Sequence, residues 1–293
     1  MPELPDITVY VEALAARVVG QTVEEIRLHT PFLLRSVDPA LAELVGRRVV
    51  AVDRLGKRIV FGLDGELFAV IHLMIAGRLH WRASSAKPVK ANALADFVFS
   101  SGTLTLTEAG TKRRASLHLA RGRDALGEFG RGGLEPLDAT LADFGARLRR
   151  ENHTVKRSLT DPRLFSGIGN AYSDEILHRA RLSPVKLTGR LTDDEIAALF
   201  DATRDTLVEW TDRLRAVAGG EFPEKVTAFR PEMSVHGKYG QPCPVCGTPV
   251  QRIRYADNET NYCARCQTDG KLLADRGLSR LLKQAWPKSI DEL

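Results

Sequence analysis

The cysteines of this chain form two pairs, with two residues between the members of each pair and sixteen residues between the pairs. They are Cys243, Cys246, Cys263 and Cys266. Zinc favours four thiolates in a tetrahedron, and a two-residue gap lets both cysteines of a turn reach one ion. The spacing therefore predicts one structural zinc ion, since four cysteine ligands leave no open position at which the metal could activate water. Two disulfides or four unrelated thiols are the alternatives, and both fit poorly with a cytosolic chain that has no other cysteine.

Length and composition are those of a globular protein with several folding units. The chain has 293 residues, of which 43% are hydrophobic and 27% charged, so we expect two domains and a small module. Its longest apolar stretch, around Leu67 to Ile75, is interrupted by His72 and is shorter than the roughly 20 residues of a membrane helix. The segment from Met1 to Asp6 has neither a basic region nor an apolar run behind it. We therefore expect a cytoplasmic protein with no membrane partner.

Basic residues are unevenly distributed along the chain. The net charge is +5 and the isoelectric point about 9.1. Between Ala109 and Arg123 there is no acidic residue, and the basic residues there are Lys112, Arg113, Arg114, Arg121 and Arg123. Such a cluster suits a polyanion, because each phosphate contact releases counterions. A solvated basic face is the alternative interpretation.

The first 130 residues predict an antiparallel β domain preceded by a helix. Apolar residues recur at helical spacing from Asp6 to Val18. Short runs rich in β-branched and aromatic residues follow, separated by turn signals. These runs are Thr22–Leu28, Arg48–Asp53, Arg58–Leu63, Glu66–Leu73, Phe97–Phe99 and Thr103–Thr107. The glycine-rich segment from Gly130 to Pro136 is typical of an interdomain linker.

The middle of the chain predicts a mainly helical domain. The helical segments are Leu141–Glu151, Tyr172–Arg181 and Thr192–Val217. Between the first two, the segment Asp161–Asn170 carries two glycines just before a helix N-terminus, where backbone amides could hold a phosphate. A purely structural glycine turn is the alternative. Near the C-terminus, helical spacing of Leu278, Leu281, Leu282, Ala285 and Trp286 predicts a short amphipathic helix that packs back on the body or binds a partner.

Several short motifs occur in one order along the chain. They are Met1–Asp6, Gly56–Lys57, His72–Leu73, Ser166–Tyr172 and the cysteine window. Together they resemble the formamidopyrimidine-DNA glycosylase (Fpg/Nei) family from Met1 to about Gln267. The resemblance implies an α+β multidomain fold, with an N-terminal antiparallel β-sandwich, a helix-two-turn-helix domain, a C-terminal zinc finger and DNA between the two larger domains. We assign residues 1–130, 131–235 and 236–268 to these domains and residues 269–293 to a helical extension.

The same resemblance implies a monomeric base excision repair enzyme that is both a DNA glycosylase and an abasic-site (AP) lyase. Met1 would be removed, and the amine of Pro2 would attack the deoxyribose carbon that bears the damaged base. An α-amino group titrates near about 7.7 to 8.0 and lysine near about 10.4, so the terminal amine is far more often nucleophilic at neutral pH. Glu3 would shuttle protons at the sugar ring oxygen, and Lys57 would hold the phosphate near the lesion and assist catalysis.

The resemblance also implies residues that bind DNA. His72 and Asn170 match positions that contact the phosphates flanking the lesion, and Lys156 matches a helical lysine that faces the DNA. A damaged base must rotate out of the duplex, and side chains fill the space it leaves. Ile75 is expected to be this wedge, with Met74 beside it where glycine is usual. Burial of Met74 and Ile75 in the core is the alternative.

Two recognition positions depart from the family pattern. Many members carry Arg-Arg-Phe in a loop that here reads Arg113-Arg114-Ala115, so the phenylalanine wedge is missing. At the zinc-finger position where the family usually has an arginine that binds phosphates, this chain has Asn258, whose amide offers one neutral hydrogen bond and a weaker DNA contact. Arg252 or Arg254 would reach the DNA backbone instead, and exposed strand charges are the alternative interpretation of both. The hypothesis is a preference for oxidised pyrimidines or for loosely stacked DNA. A catalytically idle protein that binds unusual DNA is the alternative function.

Overall fold

The computed structural model describes residues 1–83, 92–110, 112–224, 226–227, 229–256, 258–275 and 278–292. The chain divides into two compact units. The first contains Met1–Arg131 and Trp210–Thr227, and the second contains Gly132–Glu209 and Ala228–Leu293. No helix of the described part is both long enough and apolar enough to cross a membrane.

The first unit opens with helix α1, Leu4–Val18. Its apolar residues fall three or four positions apart, so Ile7, Tyr10 and Leu14 share one face and are fully buried. This face packs against the strands Val49–Leu55 and Arg58–Leu63, which are β2 and β3 of the sheets that follow. The predicted helix is confirmed, and it begins two residues earlier than the periodicity indicated.

Two four-stranded antiparallel sheets form the rest of this unit, in the orders β1-β6-β7-β5 and β2-β3-β4-β8. The strands are β1 Val23–Leu28, β2 Val49–Leu55, β3 Arg58–Leu63, β4 Leu67–His72, β5 Gly77–Arg82, β6 Ala93–Phe99, β7 Gly102–Glu108 and β8 Ser116–Arg121. Phe61 of one sheet stacks on Phe97 of the other, with ring centroids 6.3 Å apart. One continuous core fills the space between the sheets, as in the expected β-sandwich.

Strands β5 and β8 were not predicted from the sequence. Strand β8 lies inside the basic cluster, but Leu117 and Leu119 alternate with polar residues and are buried. The exposed arginine at its end, Arg121, pairs with Glu43 at 2.5 Å. Part of the basic cluster is therefore the solvent face of a strand.

The first unit also contains residues that the sequence assigned to the helical domain. Phe222 and Val226 belong to its core, and the Phe222 ring lies 5.7 Å from that of Tyr10. The segment Trp210–Thr227 is therefore counted with the β-sheets. The predicted domain bounds differ from the observed ones because apolar side chains of this segment are buried with those of α1. Tyr10 and Phe222 are more than 200 positions apart, so no local sequence pattern indicates their contact.

Residues 141–218 contain the three predicted helices and one further α-helix. They are α2 Leu141–Arg149, α3 Val155–Thr160, α4 Asn170–Arg179 and α5 Asp193–Ala218, the last of which ends in the part assigned to the first unit. Thr140 caps α2 by accepting a hydrogen bond from the backbone of Asp143. Helix α3 is short, and the sequence analysis did not identify it.

A hairpin and a short helix complete the second unit around the cysteines. Strands β9 Gln251–Arg254 and β10 Glu259–Tyr262 pair antiparallel, and α6 Ala264–Thr268 follows. The C-terminal extension packs on this hairpin through Leu272 and Ile290, which are buried with Ile253 and Tyr262.

The amphipathic helix predicted for the extension is only partly correct. Helix α7, Leu278–Leu282, is one turn and a half long, and Leu281 and Leu282 are 77% and 43% exposed. The side chains of Leu278 and Ala285 lie outside the described residues. The extension is thus attached by apolar residues on either side of α7, and the prediction that Leu281 and Leu282 pack on the body is wrong.

Candidate functional site

Three loops of the first unit meet at one end of the sheet β2-β3-β4-β8. Arg58 pairs with His72, and His72 pairs with Ser116. The β2–β3 turn, the β4–β5 turn and the segment before β8 therefore leave the sheet at the same end. These loops carry the predicted site residues Lys57, Met74, Ile75, Arg113 and Arg114.

The β2–β3 turn places Lys57 beside the start of the chain. Leu55 and Arg58 are paired, so Gly56 and Lys57 form a two-residue hairpin loop. Gly56 has φ 62°, which a glycine at the first position of a type II′ turn adopts without strain. The loop thereby holds Lys57 in one orientation at the end of the sheet.

Pro2 and Glu3 are buried immediately before α1, and Glu3 is only 2% exposed. The backbone N–H of Glu3 donates to Asp6 Oδ2 over 2.9 Å, which fixes the first turn of the helix. The charge of Glu3 acts on the Lys57 amine, and both residues act on the terminal amino group, so the chain start lies near the turn that carries Lys57. The structure thus brings together Pro2, Glu3 and Lys57.

The electrostatics of this cluster favour an uncharged amine. Burial lowers the pKa of the terminal amino group, here that of Met1, below its ordinary 8.0, and the charge of Glu3 opposes this effect. Burial also lowers the pKa of Lys57, again against the influence of Glu3. Both amines consequently lose their proton more readily than exposed amines do.

The β4–β5 turn is tightly constrained and projects an apolar side chain. Gly77 N–H donates to Leu73 O over 2.9 Å, and a Cβ on Gly77 would lie 2.3 Å from that carbonyl oxygen. Arg78 braces the turn by donating to the carbonyls of Gly77 and Ile75, over 2.6 and 3.3 Å. Ile75 is 58% exposed, so the core alternative is wrong for this residue.

Met74, at the neighbouring position, has φ 53°. This left-handed conformation is one that glycine adopts more easily, which accounts for the glycine usual at this place in the resembled family. Met74 is half-buried, so its burial does not decide between a wedge that enters the duplex and a residue of the core.

His72, the last residue of β4, is half-buried and uncharged at neutral pH. Burial lowers its pKa to about 4, with further contributions from the positive charges of Arg58 and Lys57 and from His118. A neutral imidazole can still donate one N–H to a phosphate oxygen. Contact between His72 and a phosphate stays a prediction.

The segment before β8 carries the exposed side chains of Arg113 and Arg114. The buried carboxylate of Glu108 accepts hydrogen bonds from the backbone of Arg114 and Ala115, at 2.9 and 3.0 Å. Ala115 itself is buried. Sequence reasoning missed Glu108, whose position at the end of an alternating strand gave no sign that its carboxylate would hold this loop.

In the second unit, Lys156 and Asn170 are in direct contact. The Lys156 ammonium donates to the backbone carbonyl of Asn170 over 3.1 Å and pairs with Asp174. Asn170 begins α4, and its Nδ2 donates to the carbonyl of Glu259 over 3.0 Å. Lys156 is buried, because the buried carboxylate of Asp174 holds its ammonium, and contact between Lys156 and DNA stays a prediction.

A buried polar network continues beyond Lys156. Asp174 Oδ2 lies 2.8 Å from His236 Nδ1. The adjacent Glu175 accepts from the backbone N–H groups of Val235 and His236, both over 2.9 Å. Two adjacent carboxylates in the middle of α4, Asp174 and Glu175, were the sequence signal for this network, which sequence reasoning missed.

The cysteines form the predicted metal site. The sulfur atoms of Cys243, Cys246, Cys263 and Cys266 all lie within 4.8 Å of one another. Four sulfurs at about 2.3 Å from a tetrahedral zinc are about 3.8 Å apart, so the cage fits one structural zinc ion. All four are free thiols, which excludes the disulfide alternative. His178 Nε2 lies 3.2 Å from Cys243 Sγ, a contact that orients the ligand from outside the cage.

Asn258 is exposed near the tip of the hairpin β9–β10. Its backbone carbonyl accepts a hydrogen bond from Tyr255 N–H over 2.9 Å. The guanidinium of Arg252 lies 4.0 Å from the Tyr239 ring centroid and 3.4 Å from Glu259 Oε2. Arg254 is exposed. Of the two candidate arginines, Arg254 is therefore the better placed for a ligand outside the finger.

Comparison with known proteins finds similarity in three parts of the chain. Residues 1–116 match the formamidopyrimidine-DNA glycosylase N-terminal domain, residues 133–214 match its H2TH domain, and residues 240–268 match a zinc finger found in FPG and IleRS. The formamidopyrimidine-DNA glycosylases of Heliobacterium modesticaldum and Thermus thermophilus are both 34% identical, over 91% and 92% of this chain and 100% of theirs.

Solved structures agree with these matches. Lactococcus lactis Fpg in complex with DNA that contains an abasic site has a TM-score of 0.80 and 26% sequence identity, over 91% of this chain and 99% of that one. The complex of the same protein with FAPY-dG-containing DNA gives the same TM-score and identity, over 91% of this chain and 100% of that one.

Proposed function

Because the chain belongs to the formamidopyrimidine-DNA glycosylase family, we propose that it is a base excision repair enzyme that releases oxidised bases and cleaves the strand at the resulting abasic site. The observation that carries this proposal is the cluster of Pro2, Glu3 and Lys57 around the chain's amino terminus. We further propose that it acts as a monomer in the bacterial cytoplasm, where its DNA substrate lies.

Pro2 is the nucleophile in this proposal, after removal of Met1. Its amine nitrogen forms a bond to the sugar carbon C1′ as the bond from C1′ to the damaged base breaks. The base departs with the bonding electrons and takes up a proton, and the sugar ring opens to leave an iminium ion on Pro2. Pro2 is buried, and burial favours the unprotonated form of an amine, which is the only form that can attack.

Glu3 serves as the proton shuttle at the ring oxygen of the sugar. Protonation of that oxygen assists ring opening, and the burial of Glu3 beside the amine supports its assignment. Loss of a proton from C2′ then expels the 3′ phosphate, which breaks the strand. Water releases the sugar fragment and regenerates the amine.

Lys57 and His72 hold the DNA backbone at this end of the sheet. A bound phosphate favours the charged form of Lys57, which then contributes charge to the contact, whereas the neutral imidazole of His72 contributes a hydrogen bond only. Ile75 fills the space left by the rotated base, which its exposure on a rigid turn supports. Arg113 and Arg114 contact the DNA beside it, and Asn170 binds phosphate at the start of α4.

Lesion preference follows from Ala115, which offers no ring to fill the duplex. We propose faster excision of oxidised pyrimidines, or of lesions in bubbles and single strands, than of 8-oxoguanine in a paired duplex. Rates measured on matched oligonucleotides test this preference. Equal or faster removal of 8-oxoguanine from the paired duplex would rule it out.

The experiment that tests the function measures base release and strand cleavage separately. Oligonucleotides carrying one oxidised base are incubated with the full-length protein, and the free base and the nicked strand are quantified. We expect both products, with both abolished or strongly reduced in Pro2→Gly. Tight binding of the same DNA without either product would favour the binding-only alternative.

A further inference from the structure

Phe32 is an aromatic side chain that the core does not use. It lies on a single turn of 3-10 helix, Pro31–Leu33, and is 76% exposed, whereas its neighbour Leu33 is 2% exposed. Because the ring is exposed, the folded state lacks the hydrophobic stabilisation that its burial would provide. The proposed reaction assigns it no role.

The backbone around Phe32 is held in place. Leu34 forms a parallel bridge with Leu117 of β8, and Arg35 N–H donates to Leu117 O over 2.9 Å. Ser36 Oγ accepts from Leu119 N–H over 2.8 Å. The segment that carries the Phe32 ring is thus held along strand β8 by hydrogen bonds.

Phe32 forms one wall of a depression of about 520 Å³. Leu33, Leu94 and Ala115 give it an apolar lining, and Ala115 is fixed by its hydrogen bond to the buried Glu108. The volume is within the range of about 300–1,000 Å³ typical of small-ligand pockets, so a single nucleobase fits.

The charged residues of this depression are both cationic. Arg35 and Arg113 belong to its lining, and among the residues that the structure describes no acidic one does. An aromatic ring accepts any base by stacking, and arginines on a groove attract the phosphates that connect the bases. An apolar peptide would gain nothing from the two arginines, so charge complementarity favours a nucleotide.

The depression lies at the same end of the sheet as the proposed active site. Because Leu34 is paired with Leu117, Phe32 comes level with Ala115, next to the paired residues Ser116 and His72. The turn with Ile75 follows directly after His72.

We propose that this Phe32 pocket receives one unstacked nucleobase of the bound DNA, with Arg35 and Arg113 contacting the adjacent phosphates. The inference rests on the proposed function and adds a specificity-determining residue to it. Removing the ring should weaken binding most where a base has lost its partner, as it does opposite a lesion.

The test uses the full-length protein and a duplex that carries a tetrahydrofuran abasic analogue, which cannot be cleaved. Phe32→Ala should raise Kd by about 5- to 150-fold, the range measured for loss of one stacked aromatic ring. Phe32→Trp should bind nearly as the original protein does, and its fluorescence should be quenched by the DNA. Val37→Ala is the matched control, because Val37 is 95% exposed in the same segment and does not line the pocket.

Salt dependence separates stacking from charge. Arg113→Ala should reduce the slope of log Kd against log salt by about one, whereas Phe32→Ala should leave it unchanged. Photocrosslinking with 5-iodouracil, placed opposite the analogue or at either flank, identifies which base reaches Phe32.

Equal Kd values for Phe32→Ala and Val37→Ala, or no crosslink to Phe32 from any of these positions, would overturn the proposal. Strand cleavage by the unmodified protein is measured in parallel. If the protein cleaves DNA but Phe32→Ala does not change Kd, the proposed function stands and the pocket proposal is refuted. If Phe32→Ala raises Kd but the protein does not cleave DNA, the pocket proposal stands and the proposed function is refuted.

Discussion

The ammonium of Lys156 donates a hydrogen bond to the backbone carbonyl of Asn170, the first residue of α4, over 3.1 Å. It also pairs with Asp174, which is almost fully buried. The lysine that the family resemblance singled out for DNA contact is therefore bonded to the start of α4.

Replacement of Lys156 by methionine should destabilise the fold by about 3 kcal/mol, because it leaves the Asp174 carboxylate buried with one partner fewer. Urea unfolding measures this loss. Arg157→Met, an exposed position on the same helix, should change the free energy of unfolding by less than about 0.5 kcal/mol.

The salt dependence of DNA binding tests the role of Lys156 further. If Lys156 affects DNA binding only by positioning Asn170, Lys156→Met should leave the slope of log Kd against log salt unchanged. A slope reduced by about one would instead indicate a direct phosphate contact.

Acid should destabilise the protein partly through His72. Its folded pKa is about 4 and its unfolded pKa about 6.5, so between these values the unfolded chain binds the extra proton. Stability contributed by neutral His72 is present above about pH 6.5 and is lost as pH falls toward 4, by about 2 kcal/mol. Unfolding at pH 7 and pH 5 measures the effect, which His72→Gln should diminish. An equal decrease in the free energy of unfolding between pH 7 and pH 5 in His72→Gln would contradict this role of His72.

The zinc content should be one ion per chain, and its removal should unfold the finger. The four thiolates are the cage that holds the hairpin and α6 together, so chelation removes that constraint. We expect DNA affinity to fall when the ion is released by a mercurial and to recover with added zinc. Full affinity of the metal-free protein would count against this role for the finger.

Arg254 should supply the charged phosphate contact that the neutral amide of Asn258 only weakly replaces. Arg254→Ala is expected to weaken DNA binding and lower the salt slope by about one. Arg252→Ala is the matched control, since Arg252 is already engaged by Tyr239 and Glu259. A larger slope change for Arg252→Ala would reverse the assignment.

The sequence predicted elements whose pattern is local. The periodicity of Ile7, Tyr10 and Leu14 placed α1, and the cysteine spacing placed the metal site, because each signal lies within a few residues. Strand β8 was missed since its buried leucines, Leu117 and Leu119, lie in a segment dominated by basic residues.

Positions that depend on long-range pairing could not be predicted. The register of Arg58 with His72 and of His72 with Ser116 gathers the three site loops, and no local pattern specifies that register. The burial of Lys156 depends on Asp174, eighteen positions away. The exposure of Phe32 likewise required the structure, because an apolar run of residues 31–34 reads as core.

The most direct measurement is borohydride trapping on DNA with one abasic site, followed by mass-spectrometric peptide mapping of the adduct. The account predicts a single modified peptide that begins at Pro2, without Met1, and that carries the reduced sugar on the proline nitrogen. An adduct on Lys57, or active protein that retains Met1, would contradict it.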